Sequence, residues 1–253
     1  MSERAGPVVL KLGGSVITRK DQPETVDESK LDAVAATIGE AAVDSLVIVH
    51  GGGSFGHPAA AQAGVSLASG THDTTAISEI HAAMGRLNEA VLDALHEAGV
   101  PAVPVRPFSA GYRDESGAVV QPTGAIETML GEGFVPVLHG DVFTTVDAGA
   151  TIVSGDELVV SLAASLAAQS VGLCTTVPGV LDEDEDVIPE IERFDAVEGV
   201  LSGSDATDVT GGMAGKVRAL LDLDTPAQIF DPDGLAAFLG SGAPGTRIDG
   251  SSQ

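Results

Sequence analysis

Three times along this chain a cluster of glycines joins a lysine or a histidine at what reads as the end of a strand or the start of a helix. The segments are Lys11-Leu12-Gly13-Gly14-Ser15 with Lys20 beyond, His50-Gly51-Gly52-Gly53-Ser54-Phe55-Gly56-His57, and Gly211-Gly212-Met213-Ala214-Gly215-Lys216. Without a Cβ, backbone N–H groups can converge on one anion; a helix N-terminus adds positive potential and a lysine adds a full charge. Polyphosphate recognition is the simplest purpose the three segments share. Lysine is otherwise almost avoided: of Lys11, Lys20, Lys30 and Lys216, only Lys30 stands apart from these clusters, and it reads as a solvated helix residue.

The surrounding pattern alternates strand, loop and helix. Residues 7–12 predict a buried strand, 27–42 a helix with Leu31, Val34, Ala35 and Ile38 on one face, and 46–49 a second strand. A long amphipathic helix is expected over 74–98, with Ile77, Ile80 and Met84 on its apolar face, and a strand over 101–105. Residues 111–120 read as an excursion or hairpin, 135–138 as a strand ending in His139-Gly140-Asp141, and 142–146 as a segment pairing nearby. Ser154-Gly155-Asp156 is placed to cap a helix over 157–169 and leave its first amides facing a ligand. A strand over 170–175, a helix from Thr210-Gly211-Gly212-Met213 through Leu223, a strand over 227–230 and a short helix over 233–239 follow. This is the grammar of a parallel α/β sheet, and 253 residues suit one continuous fold.

Charge narrows the function. A net charge of -25 repels nucleic acid and anionic lipid, and suits a cytoplasm of high salt, where self-repulsion is screened. Apolar runs such as Leu46 to Val49 are far too short for a membrane span, and Met1 to Gly6 lacks the pattern of a secretory signal, so a cytoplasmic setting is expected. Cys174 has no partner for a disulfide and reads as a buried strand residue. The acidic stretch Leu181 to Asp186 reads as a solvated turn without Ca²⁺-loop spacing. Gly51, Gly53 and Gly56 formally match a dinucleotide fingerprint with Asp73 near the acidic position, but Leu67 to His72 is not a strand, which argues against nicotinamide binding. Near Lys216 a Walker loop fails, because Thr210 takes the first glycine position and Val217 the hydroxyl position.

Taken in order, Lys11 to Ser15, the triple-glycine loop, Ser154-Gly155-Asp156 and Thr210-Gly211-Gly212-Met213 resemble the amino-acid-kinase superfamily over nearly the whole chain. Within it, Lys11 to Thr18 with Lys20, and Gly52 to Pro58, are similar to the archaeal-type isopentenyl phosphate kinases. The resemblance implies a three-layer α/β/α sandwich with an open, mostly parallel sheet. It implies an acceptor phosphate held by residues 1–150, a nucleotide held by residues 151–253, and a homodimer. The implied reaction, a step of isoprenoid biosynthesis, moves the ATP γ-phosphoryl group to isopentenyl phosphate, with Mg²⁺ carried on ATP oxygens and no protein metal ligand.

Residue by residue, the resemblance gives Lys11 and Lys20 the transferring phosphoryl group, and Gly13, Gly14 and Ser15 the donor phosphates. Gly212 and Lys216 would hold the nucleotide, and Gly52 would serve both sides. His57 would donate to the acceptor phosphate beside the N–H groups of Gly51, Gly52 and Gly56, with Gly155 closing that site; Asp141 and Asp156 would orient lysines. His50 and His139 read as strand-end caps, and His72, His81 and His96 as residues of polar faces. The face with Ile77, Ile80 and Met84 has core spacing and could enclose an isoprenoid tail. The alternatives are a fosfomycin-kinase-like enzyme and a nucleotide sensor without turnover; a kinase of carboxylate acceptors, such as acetylglutamate kinase, would not need His57.

Overall fold

The computed structural model describes residues 5–41, 43–201 and 212–250; Thr210 and Gly211 of the third glycine cluster lie outside them. Strand β1 (Val8–Leu12) leads into α1 (Gly14–Ile17), α2 (Glu28–Glu40), β2 (Leu46–His50), α3 (Gly53–Ala63) and α4 (Thr74–Glu97). Then come β3 (Ala102–Pro104), β4 (Tyr112–Arg113), β5 (Val119–Val120), α5 (Gly124–Gly131) and β6 (Val135–His139). Strands β7 (Asp141–Thr145) and β8 (Gly149–Val153) precede α6 (Gly155–Ser165), β9 (Ser170–Cys174) and β10 (Glu190–Ile191). The described chain closes with α7 (Glu198–Leu201), α8 (Gly212–Leu221), β11 (Ala227–Phe230), α9 (Leu235–Leu239) and β12 (Thr246–Ile248).

Every residue of β1 is buried, and its apolar side chains divide between two cores. Leu10 and Leu12 pack with Leu31, Val34, Leu87 and Leu235 from α2, α4 and α9. Val9 packs with Leu158, Leu162, Val217 and Leu220 from α6 and α8. Helices therefore cover both faces, as a parallel sheet requires, which makes a three-layer α/β/α sandwich. The main sheet runs β10-β12-β11-β9-β1-β2-β6-β3, and within it only the β11–β12 pair is antiparallel. A smaller sheet, β5-β4-β7-β8, stands beside it. Residue 150, where the two lobes were divided, falls inside β8.

Four neighbouring strands end level. Cys174 pairs with Leu12, Leu12 with His50, and His50 with His139, so these residues form one row across the centre of the sheet. The ladder continues one residue further: Gly13 N–H donates to Cys174 O at 2.8 Å, Gly51 N–H to Leu12 O at 2.9 Å, and Gly140 N–H to His50 O at 3.0 Å. The chain leaving β1 goes on to β2 on one side and the chain leaving its neighbour β9 goes on to β10 on the other, so the two part company here. That is the switch point at which open α/β sheets bind ligands beyond their carboxyl ends.

Residues 53–63, for which the sequence pattern assigns no element beyond the glycine loop, form a helix, so His57 stands in the second turn of α3. Helix α6 begins at Gly155 and ends at Ser165 instead of spanning 157–169, because the Ser154–Glu157 capping box starts it early and Ala167 at φ 48° follows its end. The segment over 142–146, expected to pair nearby, is β7, which pairs with β4 and β8 in the smaller sheet.

Candidate active site

Beyond the row of strand ends lies a cavity of about 310 Å³. Its floor is the next residue from each strand: Gly13 and Gly14 after β1, Gly51 to Gly53 after β2, Gly140 after β6, and Thr175 to Val177 after β9. Helices α3 and α6 open on its wall at Gly53 and Gly155, which presents unbonded amides and partial positive charge to whatever fills it. Arg113 fixes the second of these helix starts, pairing with the capping residue Glu157 at 2.9 Å and donating to Ile152 O at 3.0 Å.

The glycine loops are packed against each other. A methyl group on Gly14 would collide with the Gly53 amide, and Gly53 itself holds φ +47°. A methyl on Gly51 would in turn meet Gly14 N at 2.7 Å. Close approach of two backbones, rather than flexibility, accounts for these residues.

Charge is distributed in two layers. Lys11, 7% exposed, donates to Asp156 Oδ1 at 2.6 Å, and Lys216 Nζ lies 3.7 Å from Asp156 Oδ2 and 3.3 Å from Gly212 O, to which it donates. Lys20 is exposed on the rim and, among the described residues, has no hydrogen-bond or ion-pair partner. Beneath the floor, His50 and His139 are fully buried beside Gly51 O and Gly140 O. Burial pushes their pKa values down to about 4 and about 3, so both rings are neutral near pH 7.

Of the expected site residues, Lys11, Gly13, Gly14, Ser15, Lys20, Gly51, Gly52, Gly56, His57, Asp141, Gly155, Asp156 and Lys216 all border this one cavity. Gly212 does not; it opens α8 one turn before Lys216. Asp156 lies between two lysines, but Asp141 does not orient a lysine. Its carboxylate accepts from His81 Nδ1 at 2.8 Å and lies 3.6 Å from His139 Nδ1. Burial raises the Asp141 carboxyl pKa, while contact with Asp141 raises that of His81. His81, expected on a polar face, is instead half-buried, bonded to Asp141 and tilted against Phe108. The i, i+4 spacing from Ile77 and Ile80 to His81 and Met84 puts His81 beside the apolar stripe, which is the sequence signal for this position.

The remaining wall is apolar. Val65, Leu67, Ile80, Met84 and Ile152 line the part of the cavity beyond Gly52 and Gly56, and Met84 Sδ packs against both of those glycines. Ile80 and Met84 are thus core residues and cavity residues at once, while Ile77 packs only in a satellite cluster with Val142 and Ala150. Val177 and Met213 also line the cavity. The arrangement can hold two anions among Lys11, Lys20 and Lys216 over a glycine-lined floor, one of them with an apolar tail.

A model of the amino acid kinase family matches residues 6–225. An isopentenyl phosphate kinase of Haloferax volcanii is 61% identical, covering 96% of this chain and 98% of that protein. One of Methanothermobacter thermautotrophicus is 37% identical, covering 96% and 99%. A solved structure described as that of an isopentenyl phosphate kinase superposes with a TM-score of 0.83 at 32% identity, over 95% of this chain and 99% of that one.

Proposed function

The chain belongs to the amino acid kinase family, and from that premise we propose that it transfers the γ-phosphoryl group of ATP to isopentenyl phosphate, giving isopentenyl diphosphate and ADP. The observation that carries this reading is the single cavity that joins two facing glycine loops, three lysines and an apolar end. Identity of 61% to the Haloferax volcanii enzyme supports the acceptor and fits the acidic, high-salt character of the surface.

A phosphate monoester loses its second proton at about pH 6, so the acceptor is mostly a dianion at neutral pH and needs no strong base. An acceptor oxygen attacks the γ-phosphorus, the bond from that phosphorus to the β–γ bridging oxygen breaks, and ADP leaves. The obstacle is repulsion between two anions, which positioned cations and N–H donors reduce. In this reading Gly13, Gly14 and Ser15 cradle the donor phosphates, with Lys216 and Gly212 on the nucleotide side. Gly52 and His57 receive the acceptor phosphate; contrary to expectation, the amides of Gly51 and Gly56 are already bonded to Leu12 O and Gly52 O, so these two glycines border it without donating, and Gly155 closes that end. Lys11, held by Asp156, and Lys20 neutralise the group in flight.

In this reading most of the acceptor site comes from residues 1–150 and the outer part of the nucleotide site from residues 151–253, with Gly13 to Ser15 and Gly155 crossing that division. Among the described residues the two carboxylates of the cavity wall are engaged, Asp156 with Lys11 and Asp141 with His81; Mg²⁺ suits the nucleotide's own oxygens and would supply charge neutralisation there. A homodimer and a cytoplasmic setting complete the reading from family likeness; among the described residues no helix is long and apolar enough to cross a membrane.

The test is direct detection of phosphorylated acceptor in high salt, with ATP, Mg²⁺ and, separately, isopentenyl phosphate, fosfomycin and acetylglutamate. Transfer to isopentenyl phosphate at a kcat/KM at least about a hundredfold above the other two is expected; preference for either of those would overturn the assignment. The apolar end makes a second demand. Met84→Phe should depress kcat/KM for acceptors with longer prenyl chains by about tenfold more than for isopentenyl phosphate, since it narrows that end. An unchanged chain-length profile would remove the tail from this part of the cavity.

A further inference from the structure

We propose that Thr18 and Ser54, neither of which borders the cavity, form a positioning hub that locks the two glycine loops and the Lys20 segment into one geometry. The inference rests on the phosphotransfer reading above.

Thr18 is 2% exposed, and its hydroxyl works in both directions. It donates to the carbonyl of Gly14 in the donor loop at 2.7 Å and accepts the N–H of Ser54, the residue after Gly53 in the acceptor loop, at 3.0 Å. One buried oxygen atom thus sets the spacing between the two loops.

Ser54 carries the connection onward. Its hydroxyl donates to Thr25 O at 3.1 Å and accepts Thr25 N–H at 3.2 Å, and its carbonyl accepts Glu24 N–H at 2.9 Å. In an unbroken helix that carbonyl would bond the amide four residues on, but position 58 is proline and has none. Pro58 therefore frees the acceptor that receives Glu24.

Lys20 lies in the turn that these bonds close. Thr18 and Val26 form an antiparallel bridge, Arg19 N–H donates to Thr25 O at 3.0 Å, and the Glu24 carboxylate accepts twice from Arg86 on α4, at 2.6 and 3.0 Å. The exposed lysine therefore projects from a backbone segment whose neighbours are bonded to both loops. Because in-line transfer needs reacting atoms about 3–3.5 Å apart, a hub outside the cavity can govern turnover without touching either substrate.

The experiment measures kcat, both KM values and thermal stability for T18V, T18S, S54A and P58A, with hydrogen exchange of residues 18–26 and 53–58. T18V keeps the side chain's shape and removes both bonds. It should lower kcat about tenfold or more with each KM within about threefold, and T18S should recover most of the loss. S54A and P58A should each raise exchange at Glu24 and Thr25. In a K20A background S54A should add little, because its effect runs through Lys20. Wild-type turnover in T18V, a T18V deficit that only mirrors lost folded protein, or multiplicative S54A and K20A effects would overturn the hub. If the wild type transfers nothing to isopentenyl phosphate, the functional reading fails instead. Exchange then decides the hub alone: raised rates at Ser54 and Glu24 in T18V support it, and unchanged rates sink it.

Discussion

Lys20→Ala should reduce kcat by about 10²–10³-fold while leaving the KM for ATP and acceptor within about threefold of wild type. The reason lies in the contrast between the lysines. Lys11 and Lys216 are held by Asp156, so their charge is partly answered before any substrate arrives. Lys20 faces the same cavity with no such partner among the described residues, and its charge is answered only when a phosphoryl group comes within reach. A cation kept for the transition state should appear in turnover more than in binding. His57→Ala provides the opposite profile: loss of a hydrogen bond to a charged acceptor should raise the acceptor KM by about 10–100-fold with a smaller change in kcat. Steady-state kinetics on both variants decides the matter; equal and negligible effects would remove both roles.

Gly14→Ala should damage both stability and catalysis, although it adds one methyl group. The new carbon would collide with backbone on the opposing loop, and backbone cannot rotate away as a side chain can. Overpacking of this kind costs about 1–3 kcal/mol, which in a chain of this size lowers Tm by roughly 2–10 °C. The larger effect should be on kcat, about 10²-fold or more, because separating the loops by an ångström misaligns donor and acceptor. Gly124→Ala is the matched control: Gly124 opens α5 with open space where the methyl would go, and both Tm and kcat should be unchanged. If Gly14→Ala behaves like the control, the loops do not need to touch.

Much of this site was legible in the sequence because its parts are local. A strand of buried residues followed by Gly13-Gly14 or by Gly51-Gly52-Gly53 announces itself, and the scarcity of lysine drew attention to three of them. What escaped notice was tertiary or locally contradictory. Helix α3 is hidden because glycines crowd its first turn and Pro58 lies inside it, and both residue types signal a break. Asp141 was paired with the wrong cation, since the partner His81 comes from a helix 60 residues away. Thr18 and Ser54 are 36 residues apart and look like ordinary polar positions; only their meeting makes them informative. The smaller sheet was blurred for a related reason, as β4 and β5 have two residues each and carry almost no periodicity.

The level row from Cys174 through Leu12 and His50 to His139 has a consequence for anyone who would move this chemistry elsewhere. Sliding one strand by a single residue would displace its loop by about 3.3 Å and turn its side chains to the opposite face. Grafting the glycine segments onto a foreign scaffold would therefore transplant the tools without the bench that aligns them. A designer would have to copy the pairing of four strands first, and only then the residues that follow them.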